Sequence, residues 1–170
     1  MHGEQDGAIL RRKHQVIAAS MALSMLWAIL LIWWGRGPAE PLPALTGAAL
    51  PGGLVMAAMV GRLAQRRFFD AAIIDGAPFA PGSGAEIDQR VLTNTTEQMV
   101  LALALWPFAG AVLGWGLLPW LGASFALARV LFWVGYHLSP PLRGVGFAAS
   151  FYPGVVAALW ALAVFFGSPA

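Results

Sequence analysis

The stretch VIAASMALSMLWAILLIWW, residues 16–34, contains no ionisable side chain. A transmembrane helix needs about 20 mostly apolar residues, because each residue advances an α-helix by about 1.5 Å. Basic residues precede the stretch, as they do in a cleaved signal peptide. However, its 19 residues exceed the ~7–15 of a signal-peptide core, and it ends in Trp33-Trp34 rather than in small residues. The stretch therefore predicts a membrane helix that is retained.

The composition of the whole chain gives the same indication. Of its 170 residues, 59% are apolar and 11% are charged, against about 25% charged residues in soluble domains. A soluble protein of this size cannot bury so much apolar surface. The chain has no cysteine, which excludes a disulfide scaffold and cysteine-bound metals, and its three histidines do not favour a histidine metal site. A formal charge of +2 gives no reason to expect nucleic acid as a partner.

Four more apolar segments follow the first. Residues 114–119 (GWGLLP) provide a turn between two of these segments, and residues 62–90 form a polar interval between two others. The sequence thus predicts an all-α membrane protein with five transmembrane helices, at about 16–34, 42–61, 92–113, 118–138 and 147–166. Within the polar interval, residues 68–76 are expected to form a short interfacial helix.

The basic residues indicate the orientation of the chain. With five spans, most of them fall on one side, which the positive-inside rule assigns to the cytoplasm: Arg11, Arg12, Lys13, Arg62, Arg66, Arg67, Arg90 and Arg143. The N-terminus and the loop 62–90 are then cytoplasmic, and the C-terminus is external. Four tryptophans near the opposite interface agree with this orientation. We therefore expect an integral multi-pass protein, and its composition and short basic N-terminus favour a bacterial inner membrane.

Placing an ionisable side chain inside a membrane span costs free energy, so the positions of such residues point to a structural or functional role. Two helical stripes contain them: Arg90, Asn94 and Glu97 in the third span, and Arg129, Phe132 and Tyr136 in the fourth. Glu97 and Arg129 both lie roughly 10 Å below the cytoplasmic rim, so we expect them to form an ion pair. Two interpretations are open. The pair either locks two helices together, or it belongs to a polar pocket for an anionic, peptide-like ligand.

A further arginine, Arg143, follows the stiff segment Ser139-Pro140-Pro141-Leu142 at the start of the last helix. A cation near a helix N-terminus would stabilise an anion such as a thiolate. The alternative is an ordinary arginine of a cytoplasmic loop.

Together these residues resemble a known family. Arg90-x-x-x-Asn94-x-x-Glu97, then Ala128-Arg129-x-x-Phe132-x-x-Gly135-Tyr136, and then Arg143 are similar to the pattern of the MAPEG family, the membrane-associated proteins in eicosanoid and glutathione metabolism. The resemblance covers about residues 43–167 and includes the basic cluster Arg66-Arg67-Phe68. It implies a left-handed four-helix bundle over residues 41–170, to which residues 1–40 add a cytoplasmic N-terminus and an extra transmembrane helix.

The resemblance also implies a function. It implies a homotrimer in the bilayer, with glutathione bound between subunits as co-substrate and a small lipophilic substrate arriving from the membrane. Arg143 would stabilise the glutathione thiolate for a transferase or peroxidase reaction on an electrophile or hydroperoxide. The remaining site residues would hold the tripeptide, with Arg66 or Arg67 supplied by a neighbour: Arg90, Asn94, Glu97, Arg129, Tyr136, Arg66 and Arg67.

Three positions depart from the family pattern, since Phe132, Gln98 and Leu92 stand where family members often carry polar side chains. These departures leave open an alternative, a non-catalytic membrane scaffold or partner-binding protein. A transporter or channel subunit is less favoured, because the ionisable residues stop at about one third of the membrane depth.

Overall fold

The computed structural model describes the backbone of residues 2–167 and the side chains of residues 11, 12 and 14–167. Five α-helices form this part of the chain: α1 (His2–Gly35), α2 (Pro41–Phe68), α3 (Gly84–Leu113), α4 (Leu117–Leu138) and α5 (Pro140–Gly167). Each contains a segment long and apolar enough to cross a membrane. The predicted all-α architecture with five spans is confirmed.

Successive helices run in opposite directions, so the bundle has two distinct ends. We call the end with the loop 69–83 and the α4–α5 turn at Ser139 the polar end. We call the other, with the links 36–40 and 114–116, the turn end, where the Gly116 N–H donates to the Gly37 carbonyl over 3.0 Å. Helices α2 and α5 each pack against α3 and α4 and not against one another, so they are diagonal in a four-helix arrangement. Helix α1 lies outside it, against α5 and α4.

The helices at the polar end are longer than the sequence predicted. Helix α2 continues to Phe68 and α3 already begins at Gly84, so the predicted loop 62–90 shrinks to 69–83. The early start of α3 has a local cause. The Ser83 hydroxyl accepts a hydrogen bond from the Glu86 N–H, and the Glu86 carboxylate accepts one from the Gly82 N–H.

Two other segments at this end also differ from expectation. The interfacial helix expected over 68–76 is wrong, because consecutive turns follow Phe68 there and the Asp70 carboxylate accepts the Ala72 N–H. Helix α5 begins at Pro140 rather than near residue 147, as proline is well suited to a first helical turn.

The largest apolar core lies towards the turn end. Trp106 is 1% exposed and meets Phe125 edge to face, with 6.0 Å between ring centroids. Small residues bring the helix backbones together around these rings. At Gly122, a Cβ would collide with the Ala48 backbone, so α2 and α4 approach more closely than any larger side chain at position 122 permits.

Helix α1 is joined to the bundle through a polar contact with α4. Its buried residues Ser24, Ala28 and Ile32 recur at helical spacing on one face. Beside them, the Trp27 indole N–H donates a 2.7 Å hydrogen bond to the Ser124 hydroxyl of α4. The extra helix is therefore a packed part of the structure.

Candidate functional site

The buried side chain of Arg129 is the centre of the candidate site. It is 0% exposed, and its guanidinium carbon lies 4.0 Å from the Phe132 ring centroid. Its Nη1 donates to the Asn94 Oδ1 over 3.1 Å, whereas Nε and Nη2 are buried without a hydrogen-bond partner among the described residues. Buried charges in proteins are normally paired, so a covered cation with two unbonded donors is unusual and marks this position as a candidate site.

The predicted ion pair between Glu97 and Arg129 does not form, and that prediction is wrong. Glu97 is exposed, and the Asn94 Nδ2 donates to its Oε2 over 3.5 Å. The Asn94 amide thus connects the buried cation to the exposed carboxylate. Three residues advance a helix by about 300°, so Glu97 lies about 60° around α3 from Asn94, away from Arg129.

Tyr136 and Arg143 continue the site towards the polar end. The Tyr136 ring lies 5.0 Å from the Phe132 ring, centroid to centroid, and the Arg143 guanidinium carbon lies 4.9 Å from the Tyr136 centroid. Gly135 makes this possible, because a Cβ there would collide with the Arg143 backbone. The structure therefore brings together one row of side chains that we call the Arg129 column: Asn94, Arg129, Phe132, Tyr136 and Arg143.

Three other predicted site residues have different partners within the chain. Arg90 is exposed and forms a 2.8 Å ion pair with Glu86, one turn earlier on α3. The Arg66 Nε donates to the Asp88 carboxylate over 2.6 Å. Arg67 donates to two carbonyl oxygens of the loop 69–83 and lies over the Phe79 ring at 4.3 Å, so it holds that loop against the end of α2.

Sequence reasoning missed Asp88, whose side chain is 1% exposed. Besides Arg66, its carboxylate accepts a 2.8 Å hydrogen bond from the Trp133 indole and lies 2.7 Å from the His137 Nε2. We call these four residues the Asp88 cluster, and it joins α2, α3 and α4. The signal that could have found Asp88 is the capping-box pattern Ser83-x-x-Glu86, which predicts that α3 begins before Asp88. Asp88 then lies inside a helix, where it can face Trp133 and His137, one turn apart on α4. Within the described chain, no group of three or more His, Cys, Asp or Glu side chains could hold a metal ion.

Five spans and a buried polar column define a helical integral membrane protein. The sequence model of the MAPEG family matches residues 42–165, which is α2 to α5 and most of the chain. The chain therefore belongs to the MAPEG family, a family of membrane proteins of glutathione and eicosanoid metabolism. A search of curated proteins finds no match to the chain. Helix α1 precedes the matched region, as expected for an addition to the four-helix bundle.

Proposed function

We propose that the protein is a membrane-bound, glutathione-dependent transferase or peroxidase acting on lipophilic electrophiles or hydroperoxides. The observation that carries the proposal is the Arg129 column. It places a buried guanidinium with two unused donors, an amide, a tyrosine and a second arginine along one side of a MAPEG-type bundle.

In this proposal Arg143 is the catalytic residue. It is exposed on the first turn of α5, where its charge and the helix N-terminus both favour a bound anion. A free thiol has a pKa of about 8.5, and a nearby cation lowers the pKa and raises the fraction of reactive thiolate. The thiolate sulfur then forms a bond to an electrophilic carbon and displaces its leaving group. Alternatively, it attacks the terminal oxygen of a hydroperoxide, so that the O–O bond breaks, the sulfur is oxidised to a sulfenic acid, and the departing oxygen takes a proton from water and leaves as an alcohol. A second glutathione thiol then converts the sulfenic acid to a disulfide and water.

The rest of the column binds and orients the tripeptide. Glutathione carries two carboxylates and one ammonium group, which match the charges of Arg129 and Arg90 and the exposed carboxylate of Glu97. Since the Arg129 donors are covered in the free protein, this binding requires that a movement of the side chains around Arg129 uncovers them. Asn94 and Tyr136 supply hydrogen bonds between these charges. Arg66 and Arg67 remain predicted contributors from a neighbouring protomer.

The exposed face of α3 supports the proposed homotrimer. Thr93, Thr96 and Glu97 are exposed on this helix, although it spans the membrane. A carboxylate in the hydrocarbon region costs roughly 2.5–3.5 kcal/mol on insertion scales. A second and a third copy of the chain packed on this face would remove Glu97 from lipid.

We also propose that the polar end lies in the cytoplasm of a bacterial inner membrane. Arg62, Arg66, Arg67 and Arg143 lie at that end, whereas the turn end contains Arg36, which lies over the Trp160 ring at 4.8 Å. An excess of arginine on one side of short loops is typical of the cytoplasmic face.

The test is an ultraviolet difference spectrum of the purified protein titrated with glutathione at neutral pH. We expect a thiolate band in the wild type, none in Arg143→Ala, and an unchanged band in Arg62→Ala. Arg62 is a matched control, because it is an exposed arginine of α2 that bonds to its neighbour Gln65. A thiolate band of full intensity in Arg143→Ala would refute the assigned role of Arg143.

A second candidate function is a non-catalytic scaffold, and Phe132 favours it. Its ring is 3% exposed at the centre of the column and carries no hydroxyl to offer a ligand. In a scaffold, glutathione would leave the thermal stability unchanged and would give no thiolate band, and Glu97→Ala would weaken assembly without loss of any activity. The response to glutathione distinguishes the two functions, because Glu97 lies on the proposed assembly face in both.

A further inference from the structure

A cavity of about 390 Å³ lies at the polar end, apart from the Arg129 column. The end of α2, the loop 69–83 and the start of α3 form the walls of this open cavity. Its walls are partly apolar and carry one basic and one acidic side chain, and they include Arg66, Asp70, Ile73, Phe79, Ser83 and Gly84. A neighbouring pair of opposite charges suits a ligand that itself carries both charges.

Arg66 is fixed on the cavity wall by two features of α3. Its Nε is bonded to the buried Asp88, and its guanidinium lies flat on Gly84. A Cβ at position 84 would lie 2.8 Å from Nη2 and 3.1 Å from Nη1, so the glycine provides the space that the guanidinium occupies. Both Nη atoms have no hydrogen-bond partner within the described chain, which leaves them available to an oxyanion.

Asp70 supplies the opposite charge. One of its oxygens, Oδ1, accepts the Ala72 N–H over 3.0 Å and so fixes the side chain at the start of the loop. The carboxylate is exposed, and its Oδ2 has no partner among the described residues. That oxygen can accept a hydrogen bond from an ammonium group.

The surroundings of the cavity suit a lipid. Phe68 and Phe69 lie at the end of α2, are 71% and 76% exposed, and meet edge to face at 5.0 Å. Ile74 of the same loop is also exposed. Large apolar side chains at the end of a membrane span contact the region between acyl chains and headgroups.

We propose that this cavity binds the headgroup of a phospholipid that carries a primary amine. The phosphate lies on the Nη atoms of Arg66, the ammonium group on Asp70, and the acyl chains against the exposed phenylalanines. The site shares Arg66 with the residues predicted to hold glutathione, but it does not involve Arg143 or the Arg129 column, and a lipid ligand goes beyond the proposed glutathione chemistry.

The test compares lipid retention by the detergent-purified protein in native mass spectrometry. The probes are phosphatidylethanolamine, which has phosphate and amine, and phosphatidylglycerol, which has phosphate alone. A charge-assisted hydrogen bond contributes enough for about a tenfold preference for the amine lipid. Asp70→Asn keeps the acceptor for Ala72 but removes the charge, so we expect this preference to disappear.

A glycine pair provides the second variant and its control. Gly84→Ala should displace the guanidinium and lower retention of phosphatidylethanolamine about tenfold, whereas Gly61→Ala should not, because a Cβ at 61 meets no atom within 4 Å. Equal retention of the two lipids by the wild type, or an unchanged preference in Asp70→Asn, would overturn the proposal.

A soluble competitor identifies the source of the headgroup. If glycerophosphoethanolamine displaces the lipid, the headgroup chemistry alone suffices and a soluble zwitterion can occupy the site. If it does not, the site requires the acyl chains. The thiolate spectrum tests the glutathione proposal independently, since Asp70→Asn leaves the Arg129 column intact.

Discussion

The two ends of the bundle are held together by different physical means. Towards the turn end, Trp106, Phe125 and the leucines of α4 pack at close quarters, and the contacts are almost all apolar. Towards the polar end the apolar cluster is small, with Met59, Val91 and Phe132 at its centre. There the helices are joined by the Asp88 cluster and by the Arg129 column.

The difference shows that the two ends of one membrane bundle can be stabilised by different interactions. Lipid chains are as apolar as leucine, so the turn end gains from close packing rather than from removal of apolar surface from water. A buried carboxylate or guanidinium costs free energy unless hydrogen bonds compensate it. The polar end therefore depends on hydrogen bonds, and Arg129 is compensated only in part, since its Nε and Nη2 have no partner among the described residues.

The largest expected effect is at the polar end. Asp88→Ala removes the acceptor shared by Arg66, Trp133 and His137, and should lower the free energy of unfolding by about 3 kcal/mol. Reversible unfolding in mixed detergent measures it. Glu86→Gln, which breaks the exposed pair with Arg90, is the control and should change stability by less than about 1 kcal/mol. Equal losses in the two variants would contradict a structural role for the Asp88 cluster.

A smaller loss is expected at the turn end. Gly122→Ala places a methyl group against the Ala48 backbone, which cannot move aside cheaply, so overpacking should cost about 2 kcal/mol. Gly53→Ala, in open space on α2, is the matched control and should not destabilise the helix. The thermal unfolding midpoints of both variants, measured in the same detergent, test this prediction. An unchanged midpoint for Gly122→Ala would contradict it and would show that α2 and α4 can move apart at little cost.

The smallest effect comes from removing one donor of the Asp88 cluster. Trp133→Phe keeps an aromatic side chain, although a smaller one, but loses the indole N–H. Asp88 Oδ1 retains its bond to His137, so the loss should be about 1 kcal/mol. The same unfolding assay applies. A loss as large as that of Asp88→Ala would mean that Trp133, rather than the carboxylate, holds the cluster together.

The number and order of the helices follow directly from the sequence. The uncharged stretch 16–34 and the turn at 114–116 are local signals, and local signals are sufficient where a helix satisfies its own backbone hydrogen bonds. The spacing of Arg129, Phe132 and Tyr136 likewise predicted a continuous stripe, because helical periodicity alone determines which residues share a face.

Pairings between helices are harder to predict. The sequence predicts similar depths for Glu97 and Arg129, but depth does not specify the rotation of α3, and Asn94 rather than Glu97 contacts the cation. Asp88 was not predicted as a site residue, because the sequence places it in the polar interval 62–90 rather than inside a helix. Its burial arises from donors on α2 and α4, which are far away in the sequence.

The hydrogen bond between Trp27 and Ser124 has a consequence for the order of biosynthesis. The two residues are 97 positions apart. At 5–20 residues per second, a ribosome needs roughly 5–20 s to synthesise the intervening chain. Helix α1 thus enters the bilayer first but docks among the last, after α4 and α5 have emerged. During that interval the Trp27 indole N–H has no Ser124 hydroxyl to bond, so the contact that joins α1 to α4 can form only after α4 has been made.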